Sequence, residues 1–202
     1  MQQWKASLKE FKELRVLTAC GLLAALAIVL NYTTTINIGP TVKIGFSGLP
    51  NQLVGYLFGP AVGLIFGGVL DVLKWLLRPD GPFFPGFTLS AMVGGAIYGM
   101  LLYKKPVKLW RVFLAHFLIN AFVNVGLNTL WLVLLYNKTA SVILPARVTK
   151  NLVMLPIDTL ITYALLRFAE KTLLPVIRGS RQESRTVQAA SAENGKKEPF
   201  DR

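Results

Sequence analysis

Three stripes of polar and charged side chains run through otherwise apolar segments of this 202-residue chain. Asp71, Lys74, Trp75 and Arg78 are spaced i, i+3, i+4, i+7, which places all four on one helix face. Arg147, Lys150, Asn151, Met154 and Asp158 continue a similar spacing from just after Pro145. His116, Asn120, Asn124 and Asn128 recur at four-residue steps, with Trp131 three further on. Charge inside an apolar segment is costly and faces a cavity or an opposite charge. Arg147 and Lys150 fall in a first helical turn, where cations oppose the macrodipole; they are poor structural choices there and good contacts for an anion. Amide side chains both donate and accept, so a column of asparagines can read the edge of a polar heterocycle. The chemistry on offer is recognition of an anionic small molecule.

Each stripe also has a structural account. Asp71 and Lys74 can neutralise each other, with Arg78 snorkelling to headgroups and Trp75 in an aromatic belt. Lys150 can snorkel in the same way. The amides can bond from helix to helix, which is the preferred account for His116 and Asn120, whereas Asn124 and Asn128, level with the other stripes, are assigned to a ligand. The stretch 78–86 reads Arg-Pro-Asp-Gly-Pro-Phe-Phe-Pro-Gly, a stiff loop carrying Phe83 and Phe84 either to a cavity mouth, for stacking on a ring, or to the interface as belt aromatics. The stretch 31–48 holds Thr33, Thr34, Thr35, Asn37 and Lys43 in a β-like run too long for a simple turn, and is expected to form a second lid.

The elements that must hold these stripes are membrane helices. Hydrophobic residues make up 53% of the chain, charged ones 16%, and mean hydropathy is +0.49, a combination rare in soluble domains. Six apolar segments are expected, at 14–31, 49–58, 61–77, 88–103, 109–136 and 145–174. Gly59-Pro60 parts the second from the third as a tight turn or a kink. Sixteen of the 22 basic residues flank these segments on one side: four before residue 16, four at 104–111, and eight from Arg167 onward. By the positive-inside rule that side is the cytoplasm, so six spans put both termini there. The other six (Lys43, Lys74, Arg78, Lys138, Arg147, Lys150) then lie outside, where a cluster of cations needs a counter-ion. No small-residue cleavage site follows the first apolar run, so it is expected to stay in the protein.

The net charge of +12 accompanies no basic face interleaved with aromatics, so nucleic acid is not an expected partner, and lipid headgroups account for the cytoplasmic share. One cysteine, Cys20, and one histidine, His116, argue against a disulfide, a metal centre or any bound cofactor. No G-x-x-x-x-G-K-[ST] loop and no nucleophile–base pairing occur, so no enzymatic activity is expected, and active transport would need partners. Small residues repeat every fourth position at Gly59, Gly63 and Gly67 and at Ala91, Gly95 and Gly99, expected to pack helices within the chain. In the first helix Cys20/Ala24 and Gly21/Ala25 form a similar narrow band, expected to meet a partner. Residues 1–178 are expected to form one membrane domain, and 179–202, rich in Ser, Gln, Glu, Lys and Ala, a disordered cytoplasmic tail.

Several runs resemble the folate-specific substrate-binding (S) component of energy-coupling factor (ECF) vitamin transporters. They are Leu57-Phe58-Gly59-Pro60 with Gly63, Gly67 and Asp71; Phe83-Phe84-Pro85-Gly86-Phe87-Thr88-Leu89-Ser90 with Gly95 and Tyr98-Gly99; and Gly126-Leu127-Asn128-Thr129-Leu130-Trp131, continuing through Leu144-Pro145-Ala146-Arg147 to Lys150-Asn151-Leu152. The resemblance covers about residues 14–174 and implies six helices, an outward-facing vitamin pocket of high affinity, and docking on a shared transmembrane T component that carries two ATPases. One departure is that no alanine pair in the first helix has the A-x-x-x-A spacing common among S components. Folate fits the residues: Asp71, Asn124 or Asn128 would read the pterin edge, Trp75, Phe84 and Trp131 would sandwich the rings, and Lys43, Arg78, Arg147 and Lys150 would meet the glutamate carboxylates. The competing readings are an S component for another heterocyclic vitamin or precursor, and a non-catalytic membrane subunit of a larger complex.

Overall fold

A computed structural model of the chain describes residues 2–11, 13–38, 42–79, 81–136 and 140–194. It divides into two compact units, Met1–Leu166 and Arg167–Arg202. The first unit begins with a short amphipathic helix α1 (Gln2–Phe11), followed by the apolar helix α2 (Leu14–Thr34). Next comes an antiparallel hairpin of β1 (Ile36–Ile38) and β2 (Val42–Ile44), paired in the register Ile36 to Ile44. An otherwise helical fold thus carries one small piece of sheet, within the stretch whose threonine-rich composition is β-like.

Helix α3 (Leu49–Phe58) ends at Gly59, and α4 (Pro60–Leu77) starts immediately after it. Gly59 has φ +92°, a left-handed value that suits glycine, while Pro60 fits the first position of the new helix because its missing N–H would have no partner there. The Gly-Pro pair is therefore a break between two helices. At 10 residues α3 rises about 15 Å, roughly half of a hydrocarbon core. The groups orphaned by the break are satisfied from α1. Ser7, fully buried, donates its hydroxyl to the Phe58 carbonyl at 2.7 Å and accepts from the amides of Ala61 and Val62 at 3.1 Å each.

Helix α5 (Pro85–Leu102) lies against α4 with almost no side chain between them. A methyl group added at Gly95 would come within 2.0 Å of the Gly63 carbonyl oxygen, and one at Gly67 within 2.4 Å of that of Ala91. The two small-residue stripes thus face each other inside the chain. The next apolar segment is continuous but not uniform: α6 (Leu109–Leu118) passes into a π-helical stretch (Ile119–Leu127) and then α7 (Asn128–Tyr136). Helix α8 (Ala140–Asn194) is the last described element; it starts before Pro145, so Arg147 and Lys150 lie beyond its first turn and not in it as expected.

Among the described residues five helices are long and apolar enough to cross a membrane: α2, α4, α5, the segment Leu109–Leu135, and Arg147–Leu173 within α8. Within the second unit α8 extends to Asn194.

Candidate functional site

Helices α3, α4, α5, α6, the π-helical segment, α7 and α8, with the loop at 45–48, line a cavity of about 360 Å³, within the range of small-molecule sites. Its wall on α5 runs from Phe87 to Tyr98, a rise of about 16 Å. At one end lie Phe46 and Asp71; at the other lie Gln52, Tyr98, His116 and Asp158. The sides carry Asn120, Asn124, Asn128 and Lys150.

The asparagine column is built by the π-helical stretch. There the backbone bonds run from i to i+5, and a wider turn brings residues four apart closer to one line. Asn128 donates its amide to Asn124 at 3.3 Å, and Asn124 donates to Asn120 at 2.7 Å, a head-to-tail ladder. The side-chain oxygen of Asn128 ends the ladder buried and without a hydrogen-bond partner among the described residues. When the ladder of the main chain shortens again after the π stretch, a carbonyl is skipped. Arg147 donates to the carbonyl of Asn124 at 2.9 Å, so its guanidinium braces this segment from α8.

The residues singled out in the sequence fall into three groups. Asp71, Asn124, Asn128 and Lys150 line the cavity together. Phe84, Trp131 and Arg147 stand directly behind the lining. The Phe84 and Trp131 rings are 5.7 Å apart, Phe84 also meets Phe87 edge-on, and the Trp131 indole donates to Ser90 of the lining at 3.0 Å. Trp75 and Arg78 are engaged away from the cavity wall. Trp75 donates to the Gly81 carbonyl at 2.9 Å and packs on Phe83, while Arg78 donates to the Asn31 carbonyl at 3.2 Å and sits over the Tyr32 ring. They tie the 78–86 loop and the end of α4 to the end of α2. Lys43 lies on β2 opposite Asn37, and its side chain is outside the described residues. Among the docking candidates, Gly21 and Ala25 are exposed and Cys20 and Ala24 half-buried.

Lys74 turns out to hold a loop. Its ammonium donates to Ser47 at 2.8 Å (carbonyl) and 3.2 Å (hydroxyl), and Asp71 accepts from the Thr88 hydroxyl at 2.8 Å, joining α4 to the first turn of α5. His116 and Asn120, assigned above to helix packing, reach the cavity as well as their neighbours.

Sequence reasoning passed over Gln52, Ser90 and Tyr98 and gave Asp158 no role of its own. Gln52 had a usable signal, an amide that with Asn51 interrupts an otherwise apolar decapeptide ending at Gly-Pro. For Ser90 and Tyr98 the signal is absent, because a serine or a tyrosine in a membrane helix packs in many ways.

The chain matches, over residues 15–166, the family described as ECF transporter, substrate-specific component. A folate transporter FolT of Clostridium novyi (strain NT) is 36% identical over 160 residues, covering 79% of this chain and 92% of that protein. A folate transporter FolT of Leuconostoc mesenteroides is 33% identical over 153 residues, covering 72% and 81%. A solved structure described as the crystal structure of FolT bound with folic acid superposes with a TM-score of 0.71 at 35% identity, covering 76% of this chain and 93% of that one.

Proposed function

We propose that this multi-pass membrane protein, which belongs to the substrate-specific components of ECF transporters, captures folate and passes it to a transmembrane T component driven by two ATPases. The observation that carries the reading is the cavity of about 360 Å³ with Lys150 and the asparagine column in its wall, within a chain that matches a folic-acid-bound structure over 93% of that structure's length. Lys150 supplies charge for a glutamate carboxylate, the amides and Asp71 offer donors and acceptors for polar edges, and Phe84 and Trp131 back the wall with aromatic surface. Arg147 holds the asparagine column in place, and Lys43, Trp75 and Arg78 belong to the segments that would close over a bound molecule. No bound cofactor or metal enters this reading.

The basic flanks support six crossings with both termini in the cytoplasm, α3 completing its crossing together with neighbouring structure. That orientation turns the Phe46–Asp71 end of the cavity outward. For the partner face we assign α2. Only Val16 and Ala27 are buried along it, and a side chain at Gly21 would meet nothing within 4 Å, so the band of Cys20, Gly21, Ala24 and Ala25 is open to a neighbouring helix.

Titration of the detergent-solubilised protein with folate, without ATP, tests the reading. Saturable binding is expected, because the cavity is complete within one chain. Tight binding of riboflavin or thiamin with none of folate would assign the chain to another heterocyclic vitamin.

A further inference from the structure

The inner end of the cavity is closed by four side chains from four helices. Thr162 of α8 donates its hydroxyl to the Gln52 side-chain oxygen at 2.5 Å, and the Gln52 amide donates to the Tyr98 hydroxyl at 3.2 Å. Tyr98 meets His116 Nδ1 at 3.3 Å, and His116 Nε2 meets Thr162 at 3.0 Å, which closes the ring. Each hydroxyl has one proton. Since Thr162 gives its proton to Gln52, the imidazole must carry hydrogen on Nε2, and Nδ1 accepts from Tyr98. One sense of circulation then satisfies every member. All four are at most 8% exposed, so the ring is a floor. Only the second N–H of the Gln52 amide is left over for anything in the cavity.

Asp158 stands one turn of α8 from Thr162, beside this floor. It lines the cavity and makes no hydrogen bond among the described residues, although a carboxylate is an acceptor that wants several donors. Lys150 lies within its electrostatic reach, but two turns away, a rise of about 12 Å. Asp71, the other cavity carboxylate, is already engaged by Thr88 at the opposite end. Near the floor the side-chain oxygen of Asn51 is also buried without a hydrogen-bond partner. The inner end therefore offers acceptors, and its donors are neutral amide N–H groups of Gln52 and Asn51, whereas positive charge lies further out.

We propose that Asp158 is the residue that selects the heterocycle, accepting two parallel hydrogen bonds from a ring edge that carries an amino group beside a ring N–H, with Gln52 donating to the adjacent ring oxygen. This rests on the folate reading. It fixes the ligand's direction: the 2-amino-4-oxo pyrimidine edge enters first and meets Asp158, and the glutamate stays at the level of Lys150 and beyond. The four-membered ring acts as the positioning set, holding Gln52 and the depth of the floor.

The test compares folate with two probes: p-aminobenzoylglutamate, which lacks the heterocycle, and a folate analogue whose 2-amino group is replaced by methyl. Asp158→Asn keeps shape and volume while replacing one acceptor oxygen by a donor. Loss of a hydrogen bond to a charged group should weaken folate roughly 10- to 150-fold while leaving p-aminobenzoylglutamate unchanged. The wild-type protein should disfavour the methyl analogue by a similar factor, and this measurement needs no variant. Equal affinity of wild type for folate and the methyl analogue overturns the proposal. So does unaltered folate binding in Asp158→Asn, or a parallel loss of both folate and p-aminobenzoylglutamate. Absence of any folate binding to folded wild-type protein would instead refute the folate reading itself.

Discussion

Lys150 and Arg147 sit one turn apart on α8, and replacing each by alanine should have effects of different kinds. Lys150 lines the cavity, and among the described residues it makes no hydrogen bond. Its removal takes away one charge-assisted contact to the ligand, about 1.5–3 kcal/mol, or roughly a 10- to 150-fold rise in the folate Kd. The ligand-free protein should lose almost nothing, since no bond within the fold is broken. Arg147 donates to the Asn124 carbonyl at 2.9 Å. Arg147→Ala should therefore cost about 1.5–3 kcal/mol of stability in the ligand-free state, because a carbonyl within the π-helical stretch loses a charged donor. Binding should then weaken only as far as the asparagine column shifts. The assay pairs thermal unfolding of ligand-free protein in detergent with isothermal titration of folate, on both variants. The reasoning fails if Lys150→Ala binds folate as wild type does. It fails equally if Arg147→Ala unfolds like wild type but loses binding, because the guanidinium would then be touching the ligand directly, as the sequence reading expected.

Gly95→Leu should destabilise the protein by about 1–3 kcal/mol or more, since even its Cβ would fall 2.0 Å from the Gly63 carbonyl oxygen; a lowered unfolding temperature checks this. Gly21→Trp and Ala25→Trp should abolish folate uptake in cells while the purified variants bind folate within about twofold of wild type, as expected of exposed positions. Joint loss of uptake and binding would mean that this face is part of the fold. Ser7→Ala should cost about 1–3 kcal/mol, because it leaves the Ala61 and Val62 amides and the Phe58 carbonyl without their shared partner at the α3–α4 break; denaturation in detergent measures it.

Much of the architecture was legible because it depends on local rules. An apolar segment of membrane length has to satisfy its backbone internally, so it forms a helix wherever it sits. The bounds of α3, the break at Gly59, and the run from Leu109 to Tyr136 all follow from such rules. Four-residue glycine spacing likewise announced close helix contact before the two stripes were seen to meet. The π-helical stretch was not legible. It costs regular hydrogen bonds and persists only where neighbours compensate, as Arg147 does at Asn124.

The candidate site divides along the same line. Periodicity put Asp71, Lys74, Trp75 and Arg78 on one stripe, and the stripe is real. Which of them faces a cavity is a matter of what else is near, and here Lys74 finds Ser47, Trp75 finds Gly81 and Arg78 finds Asn31. Sequence alone determined the membrane class, the five long apolar segments, the polar stripes and the family resemblance, since each is written in spacing along one chain. Tertiary structure alone decided that Gln52, Tyr98, His116 and Thr162, up to 110 positions apart, close one ring beneath Asp158. Hydrogen bonds are directional and reach about 3 Å, so such a ring exists only once four helices have packed to within that tolerance.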